Sequence, residues 1–452
     1  MSFQIGGGIT FGGGISITIE GGAPSSPTTT WVTAAGSLGN LAPSTAITPI
    51  QLQATTTSGT VVFTITSGSL PSGLSMNSSG LITGTTGTTT ATSTFTVSAV
   101  SNAGGSPVTR TFSLTVETMV STFIKASYQD ITVGWSSGIT AQGFQNSNMI
   151  IFAFADFNTN QYNPTYLSDM EYATSANPTA TYLLSVGGAL NDPTTINATN
   201  ANAIVANVHN QITQYNAQFA ASGNANTANA TISGVDLDLE GGITSSVIST
   251  LVNGFKGHGY KVSIAPQIYL TTGTDITMTN PTNLALSSAG SDNAFAPAIQ
   301  SGNVDYIFTQ TYNSGGFTIG NVAESSVNFF INSAKALNYA VNNPSAGVNI
   351  PSTTKIIIGE PSNAGAAFNQ NSIFDATYGN SGPNPYNQGS TLTSLNSLVT
   401  TLRGDSTNYG HISGVGQWSL NNDYNPSGYG DAYANVGGFS TTVFGPSAPA
   451  SQ

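Results

Sequence analysis

The stretch 233-SGVDLDLEGG-242 places Asp236, Asp238 and Glu240 on every second residue, with Val235, Leu237 and Leu239 around and between them. In a β-strand, residues two apart face the same side, so the acids share one face and the aliphatic side chains the other. That division suits a strand of a closed α/β barrel. The aliphatic side would meet surrounding helices, and the acidic side would point inward and end at the C-terminal rim, where such barrels carry their chemistry. The acids stand out because charge is scarce: Asp, Glu, Lys and Arg make up 6% of the 452 residues.

The sequence on either side extends the pattern. Short apolar runs at 123-FIKASY-128, 149-MIIFAF-154, 181-TYLLSVGG-188, 261-KVSIAPQ-267, 304-VDYIFTQTY-312, 355-KIIIGEP-361 and 412-ISGVGQW-418 join 234-GVDLDLE-240 to make eight strand candidates. Helix-capable segments separate them. Ile204, Val205, Val208, Ile212, Tyr215 and Phe219 recur at helical spacing, as do Val247, Ile248, Leu251, Val252 and Phe255. Eight strands alternating with helices predict a (β/α)8 TIM barrel over residues 122–445, with a doubly wound open sheet as the alternative.

Residues 28–117 read as all β. Alternating runs such as 61-VVFTIT-66, 94-TFTVSAV-100 and 111-TFSLTV-116 are separated by Gly, Ser, Pro and Asn clusters, the pattern of a β-sandwich. The piece 65-ITSGSLPSGLSMNSSGLITGTTG-87 resembles Ig-like modules of bacterial and phage surface proteins through Leu70, Pro71, Gly73, Leu74, Gly80, Ile82 and Gly84. It carries no evident chemistry and reads as a spacer or adhesion module. The chain is therefore expected to be multidomain, an Ig-like sandwich followed by an α/β barrel. Ahead of both, residues 1–27 contain the repeat 5-IGGGIT-10, 11-FGGGIS-16, loosely similar to the N-termini of phage structural proteins. Residues 1–22 are read either as an assembly anchor to other virion proteins or as a disordered leader.

Composition excludes several classes. A net charge of −12 with seven Lys plus Arg leaves little to hold nucleic acid or an anionic membrane. No cysteine is present, so disulfides, thiolate catalysis and Cys-ligated metals are excluded. The three histidines, at 209, 258 and 411, show no metal spacing, and no cofactor is expected. No apolar run approaches the roughly 18 residues of a membrane span. The N-terminus lacks a basic n-region, so a virion-borne or extracellular protein released without a usual signal is expected.

Acids roughly 6.5–7 Å apart along one strand face cannot all ionise freely in a partly dry interior, so at least one pKa must rise. A carboxylic acid still protonated near neutral pH is what a general acid needs to protonate a departing glycosidic oxygen. Two other readings compete. A solvated strand face fits poorly with the apolar intervals, and a calcium loop would need flexible polar residues where Leu237 and Leu239 stand.

These residues resemble a known signature. The run 233-SGVDLDLE-240 is similar to the D-G-x-D-x-D-x-E motif of glycoside hydrolase family 18, the chitinases and related endo-N-acetylglucosaminidases. The segment 185-SVGG-188 resembles the family's S-x-G-G on the third strand, and 264-IAPQ-267, 310-QTYN-313, 357-IIGEP-361 and Trp418 in 415-VGQWSL-420 resemble strands five to eight of its hevamine-like branch, in order.

The resemblance implies an endo-acting hydrolase of β-1,4-linked N-acetylglucosamine glycans working by a retaining, substrate-assisted mechanism. Glu240 would be the acid and then the base, and Asp238 would orient the substrate amide. Asp236 would share charge or a proton with Asp238. Tyr312 would bond the N-acetyl oxygen beside Gln310, and Trp418 would form the floor of the sugar site. Gln267 and Asn313 lie in the matched runs and are added as substrate contacts. Tyr128, Phe154 and Tyr269 are cleft or core aromatics. Ser185, Gly187 and Gly188 are expected to shape the third strand's end. Ser233 stands where the family has its first Asp, and its effect on the inner aspartates is expected to alter rate or pH dependence. A non-catalytic, sugar-binding barrel and a structural virion protein are the alternative functions; the presence of Glu240 favours the enzyme.

Overall fold

The computed structural model describes residues 9–11, 15–17, 25–41, 47, 49–89, 91–116, 123–133, 138–189, 191–270, 281–290, 292–314, 317–367, 371–374, 388–429, 431 and 434–445. The chain divides into two compact units, Met1–Val120 and Ser121–Gln452.

The first unit is built from short antiparallel strands around an aromatic core. Ala91–Ser101 pairs with Gly104–Val116 and with Val61–Gly68, and Gly36–Leu41 joins the far edge in parallel. A second group contains the three-stranded Ile50–Gln51, Leu81–Gly84, Leu74–Met76 set and the Thr29–Trp31, Ala54–Thr56 pair. Leu52, Phe63, Ile82, Phe95, Val97, Phe112 and Leu114 are buried between them. Trp31 sits on this core, its ring centroid 5.3 Å from Phe112 and 5.5 Å from Phe63. The expected sandwich is present. Gly73 shows why its motif needs glycine: at φ +85° a Cβ would lie 1.9 Å from the Thr85 carbonyl.

Farther upstream, Ile9–Phe11 and Ile15–Ile17 pair antiparallel. The rest of the proposed 1–22 anchor lies outside the described residues.

The second unit contains eight parallel strands, β1 (Ile124–Asp130), β2 (Met149–Ala153), β3 (Thr181–Gly187), β4 (Ile232–Asp238), β5 (Lys261–Ile264), β6 (Tyr306–Gln310), β7 (Lys355–Pro361) and β8 (Ile412–Trp418). Each pairs with the next, and β1 pairs with β8 from Ile124↔Gly414 to Ser127↔Gln417, so the sheet closes. The predicted TIM barrel is therefore found and the open sheet is not. The principal helices after the strands are α1 (Ala141–Gln145), α2 (Pro164–Ala176), α3 (Ala201–Ala220), α4 (Ser245–Gly257), α5 (Ala296–Gln300), α6 (Val327–Ala340), α7 (Gln388–Gly404) and α8 (Gly438–Thr442). All the residues singled out at helical spacing in α3 and α4 are buried against the barrel.

Two cores follow from the period-two alternation of the strands. Outward residues such as Ile150, Phe152, Val235, Leu237, Val262, Ile264 and Ile358 meet the helices. Inside, Ala126, Met149, Ile151, Leu183, Phe308 and Ile357 plug the barrel. Phe308 fits because its neighbours are glycines: a Cβ on Gly359 or on Gly416 would come within 2.1 Å of its ring.

One strand is shorter than its sequence suggests. The 261–267 run stops at Ile264, because Pro266 has no N–H for the ladder. The chain then re-forms as Gln267–Leu270, paired antiparallel with Leu284–Ser287 at the rim. Among the described residues no helix is long and apolar enough to cross a membrane.

Candidate active site

The acidic row lies where its alternation places it. Asp236 and Asp238 point into the barrel from the end of β4, while Val235, Leu237 and Leu239 lie in the outer core. Asp236 is fully buried, and its Oδ2 accepts from the Tyr128 hydroxyl at 2.8 Å and from Ser185 Oγ at 2.7 Å. Ser263, its register partner on β5, stands beside it outside hydrogen-bonding geometry. Two residues further on, Asp238 Oδ1 accepts from Gln310 Nε2 at 2.8 Å, and that amide also donates to the Ala265 carbonyl at 3.1 Å. Glu240 follows in the turn beyond β4 and is the most solvent-accessible of the three.

Burial sets the electrostatics. It raises the Asp236 pKa, with the surrounding hydroxyls offsetting only part of the effect. Asp238 is held well above its usual range, first by burial and then by the charges of Glu240 and Asp236. Glu240 is raised by burial, and its hydrogen-bonding neighbours Gln310 and Asp238 moderate the rise. All three shifts favour the protonated form, and Asp238 and Glu240 lie close enough to share a proton.

Glycine brings the next strand close. A Cβ on Gly187 would lie 2.0 Å from the Asp238 carbonyl, and its φ of +117° is one that other residues rarely adopt. The adjacent Gly188 N–H donates to that carbonyl at 2.7 Å. These glycines shape the end of β3 as expected. Ser185 does more than the expected shaping, because it bonds Asp236 directly.

A cleft of about 230 Å³ opens above the acids, lined by Tyr128, Phe154, Ala189, Asp238, Glu240, Gln310, Tyr312, Asn313, Ala366 and Trp418. Three of its rings form one apolar wall: Trp418 lies 5.7 Å from Phe154, nearly parallel, and 5.3 Å from Tyr128. The peptides Ala153–Phe154 and Trp418–Ser419 are cis. Burial and the nearby Asp238 and Glu240 charges hold the Tyr312 hydroxyl well above its usual pKa, so it remains a donor.

Nearly all the residues singled out in the sequence converge here. Asp236 sits one layer below the cleft. Two of them are set back from its lining: Gln267 reaches the Asn313 carbonyl at 3.4 Å, and Tyr269 is buried against Phe317 with centroids 4.9 Å apart. Ser233 is exposed at a β-bulge, where the register slips between Tyr182/Ile232 and Leu183/Gly234, and its hydroxyl faces the Tyr182 carbonyl at 3.4 Å. It makes no contact with the acids, so their hydrogen bonding is set by Tyr128, Ser185 and Gln310 instead. Ala189 and Ala366 are lining residues that the sequence did not single out, since alanine carries no chemical signal. Among the described residues, no group of three or more His, Cys, Asp or Glu is arranged to hold a metal ion.

Comparison with known proteins adds the following. Residues 23–117 match the family model described as Putative Ig domain. No curated protein matches the chain. Solved structures similar to it include the cell-surface-expressed chitinase ChiW from Paenibacillus sp. str. FPU-7, at 15% identity and a TM-score of 0.42 over 94% of this chain and 43% of that one. The chain thus spans less than half of ChiW. The GH18 chitinase ChiB from Flavobacterium johnsoniae matches at 17% identity and a TM-score of 0.41 over 71% of this chain and 93% of that one. The catalytic domain of a hyperthermophilic chitinase from Pyrococcus furiosus matches at 12% identity and 0.43, over 70% and 92%. At these identities and scores the likenesses do not carry the functional reading, which rests on the cleft itself.

Proposed function

We propose that the barrel is a glycoside hydrolase that cleaves β-1,4-linked N-acetylglucosamine glycans with retention, using the substrate's own acetamido group. The observation that carries this reading is the inward row Asp236, Asp238, Glu240, raised in pKa by burial, beneath an aromatic wall and beside the Tyr312 phenol.

Glu240 is the row's most accessible acid, so it meets the scissile bond and donates its proton to the leaving oxygen. As the C1–O bond breaks, the acetamido carbonyl oxygen of the same sugar attacks C1 and forms an oxazolinium-like ring. Asp238, pinned by Gln310, takes the amide N–H and balances the growing positive charge. Tyr312 donates to the acetamido oxygen and orients it. Trp418 offers its face to the sugar ring. Glu240, now ionised, removes a proton from a water that opens the ring from the side the leaving group vacated. Configuration is retained, as an exception to the two-carboxylate scheme.

The partition that goes with this reading is an Ig-like module over residues 28–117 and a barrel over 122–445. Residues 1–22, which carry the glycine repeat and the Ile9–Phe11/Ile15–Ile17 strand pair, would attach the protein to a phage particle, the barrel acting outside the cell on a chitin-like or envelope polysaccharide.

The test incubates the full chain and its Glu240→Gln variant with N-acetylglucosamine oligomers from about pH 4 to about pH 8, the range in which buried carboxylates titrate. Products are read by mass spectrometry and binding by calorimetry. Cleavage by the wild type, with binding but no cleavage by the variant, is expected. Equal turnover by both would remove Glu240 from the mechanism. Binding without cleavage by either would favour a lectin-like barrel.

A further inference from the structure

Two buried carboxyls outside the catalytic row sit behind the cleft, and the mechanism above uses neither. Glu360, on β7, is 1% exposed and, two residues after Ile358, shares the outward face of that strand. Its Oε1 lies 2.6 Å from the Thr311 hydroxyl. Glu324 is also 1% exposed and accepts from the Ser314 backbone N–H at 3.1 Å and from the Ser314 hydroxyl. Thr311 and Ser314 bracket Tyr312 and Asn313. Thr311 and Tyr312 are consecutive, so a hold on Thr311 also fixes the backbone that carries the Tyr312 ring. The turn is also tied by Thr311 N–H to the Gly359 carbonyl at 3.1 Å and by Asn313 N–H to the Asn371 carbonyl at 2.9 Å.

We propose that Glu360 and Glu324 are positioning residues, one on each side, that clamp the Thr311–Ser314 turn and so fix the Tyr312 phenol above the carboxylate row. The inference rests on the reading of Tyr312 as a substrate-orienting group.

Hydrogen-bond accounting assigns Glu360 its protonation state. The Thr311 hydroxyl has one proton and two acceptors in reach, the Gly359 carbonyl at 2.7 Å and Glu360 Oε1 at 2.6 Å. One hydroxyl proton can only be shared between the two acceptors, whereas a protonated Glu360 would donate the second proton and make both contacts full hydrogen bonds. Glu360 Oε2 has no partner among the described residues, which costs far less for a neutral acid than for a carboxylate. Burial, reinforced by the Glu324 charge, pushes this acid well above its usual range. A neutral clamp beside the row adds no negative charge to it. It also makes glutamine, which has a donor and an acceptor in the same shape, the conservative replacement.

The test is a double-mutant cycle in the full chain, reading kcat and KM on N-acetylglucosamine oligomers for the wild type, Glu360→Leu, Glu360→Gln, Tyr312→Phe and the Glu360→Leu/Tyr312→Phe pair. Loss of the clamp misplaces the phenol, and Glu360→Leu is expected to lower kcat about tenfold or more with a smaller change in KM. Glu360→Gln restores most of that loss. In the Tyr312→Phe background the Glu360→Leu effect disappears. A Glu360→Leu loss that adds in full to that of Tyr312→Phe, or no loss at all, overturns the proposal. If Glu360→Leu does not fold, Ser314→Ala replaces it in the same cycle with the same criteria. A wild-type chain without turnover would reject the hydrolase reading alone. The clamp is then judged by crystal structures of Glu360→Leu or Ser314→Ala: a displaced Tyr312 ring sustains it, and a ring in its original place rejects it.

Discussion

The Tyr128 hydroxyl donates a 2.8 Å hydrogen bond to Asp236 Oδ2, reaching from the first barrel strand to the fourth at the base of the acidic row. Both groups are buried, so neither has bulk water as a substitute partner, and the bond favours the ionised form of the acid. Tyr128→Phe removes it and, among the described residues, leaves Ser185 to donate to that oxygen. A hydrogen bond to a charged group contributes about 1.5–3 kcal/mol, so kcat/KM at neutral pH is expected to fall about tenfold or more. Because the lost bond stabilised the charged form, the acidic limb of the kcat/KM profile should move to higher pH. An unmoved profile would show that Asp236 does not titrate in the mechanism.

Gly187→Ala tests the close approach of β3 to Asp238. The new Cβ would meet the Asp238 carbonyl at 2.0 Å, at a φ of +117° that costs an L-residue about 1–3 kcal/mol. Asp238 must shift, and a loss of kcat of at least about tenfold is expected with the fold intact by circular dichroism. Wild-type kcat in a folded variant would show that the row tolerates such a displacement.

Ser233→Asp introduces the first acid of the glycoside hydrolase family 18 signature at a position that is exposed at the β-bulge, where the serine hydroxyl faces the Tyr182 carbonyl. Surface substitutions of this kind stay within about 0.5 kcal/mol, so turnover should change by no more than about twofold. A larger gain in rate would mean that position 233 reaches the inner aspartates after all.

The buried carboxyls should each add stability on mild acidification. Asp423 is fully buried; it accepts from the Phe439 and Ser440 N–H groups and the Ser440 hydroxyl, yet burial still lifts its pKa from 3.8 to about 6. The folded state therefore holds this proton more tightly than the unfolded chain. Its stabilising contribution is complete below about pH 3.8 and is lost as pH rises through about 6. From that shift the change is up to about 3 kcal/mol. Asp236, Asp238, Glu240 and Glu360 are shifted in the same direction. Differential scanning calorimetry between about pH 7 and about pH 5 should show a more favourable response of Tm to acidification in the wild type than in Asp423→Asn. His209 and His411, whose pKa values burial lowers, act in the opposite sense over this interval, so the comparison with the variant decides: an equal response of Tm to pH in wild type and Asp423→Asn would contradict the raised Asp423 pKa.

What could be read from the sequence was what a period encodes. The alternation in 233-SGVDLDLEGG-242, the apolar runs at strand length and the helical spacing from Ile204 to Phe219 each reflect which face of an element meets the core. All eight barrel strands lie where those runs are, because burial on both faces demands nearly continuous apolar sequence. The convergence of Asp238, Glu240, Gln310, Tyr312 and Trp418 was legible as an ordered match to a known signature. Chain alternation alone does not specify which residues meet across a barrel.

Tertiary structure decided what depends on through-space distance. The bulge that turns Ser233 outward arises from register against β3, and the donors to Asp236 come from strands 51 and 108 residues away in sequence. The retreat of Gln267 and Tyr269 from the cleft follows from rim pairing. Glu360 and Glu324 look like ordinary acids in the sequence. Only folding removes them from water and sets them against Thr311 and Ser314, and desolvation is a property of the folded surroundings, not of the residue.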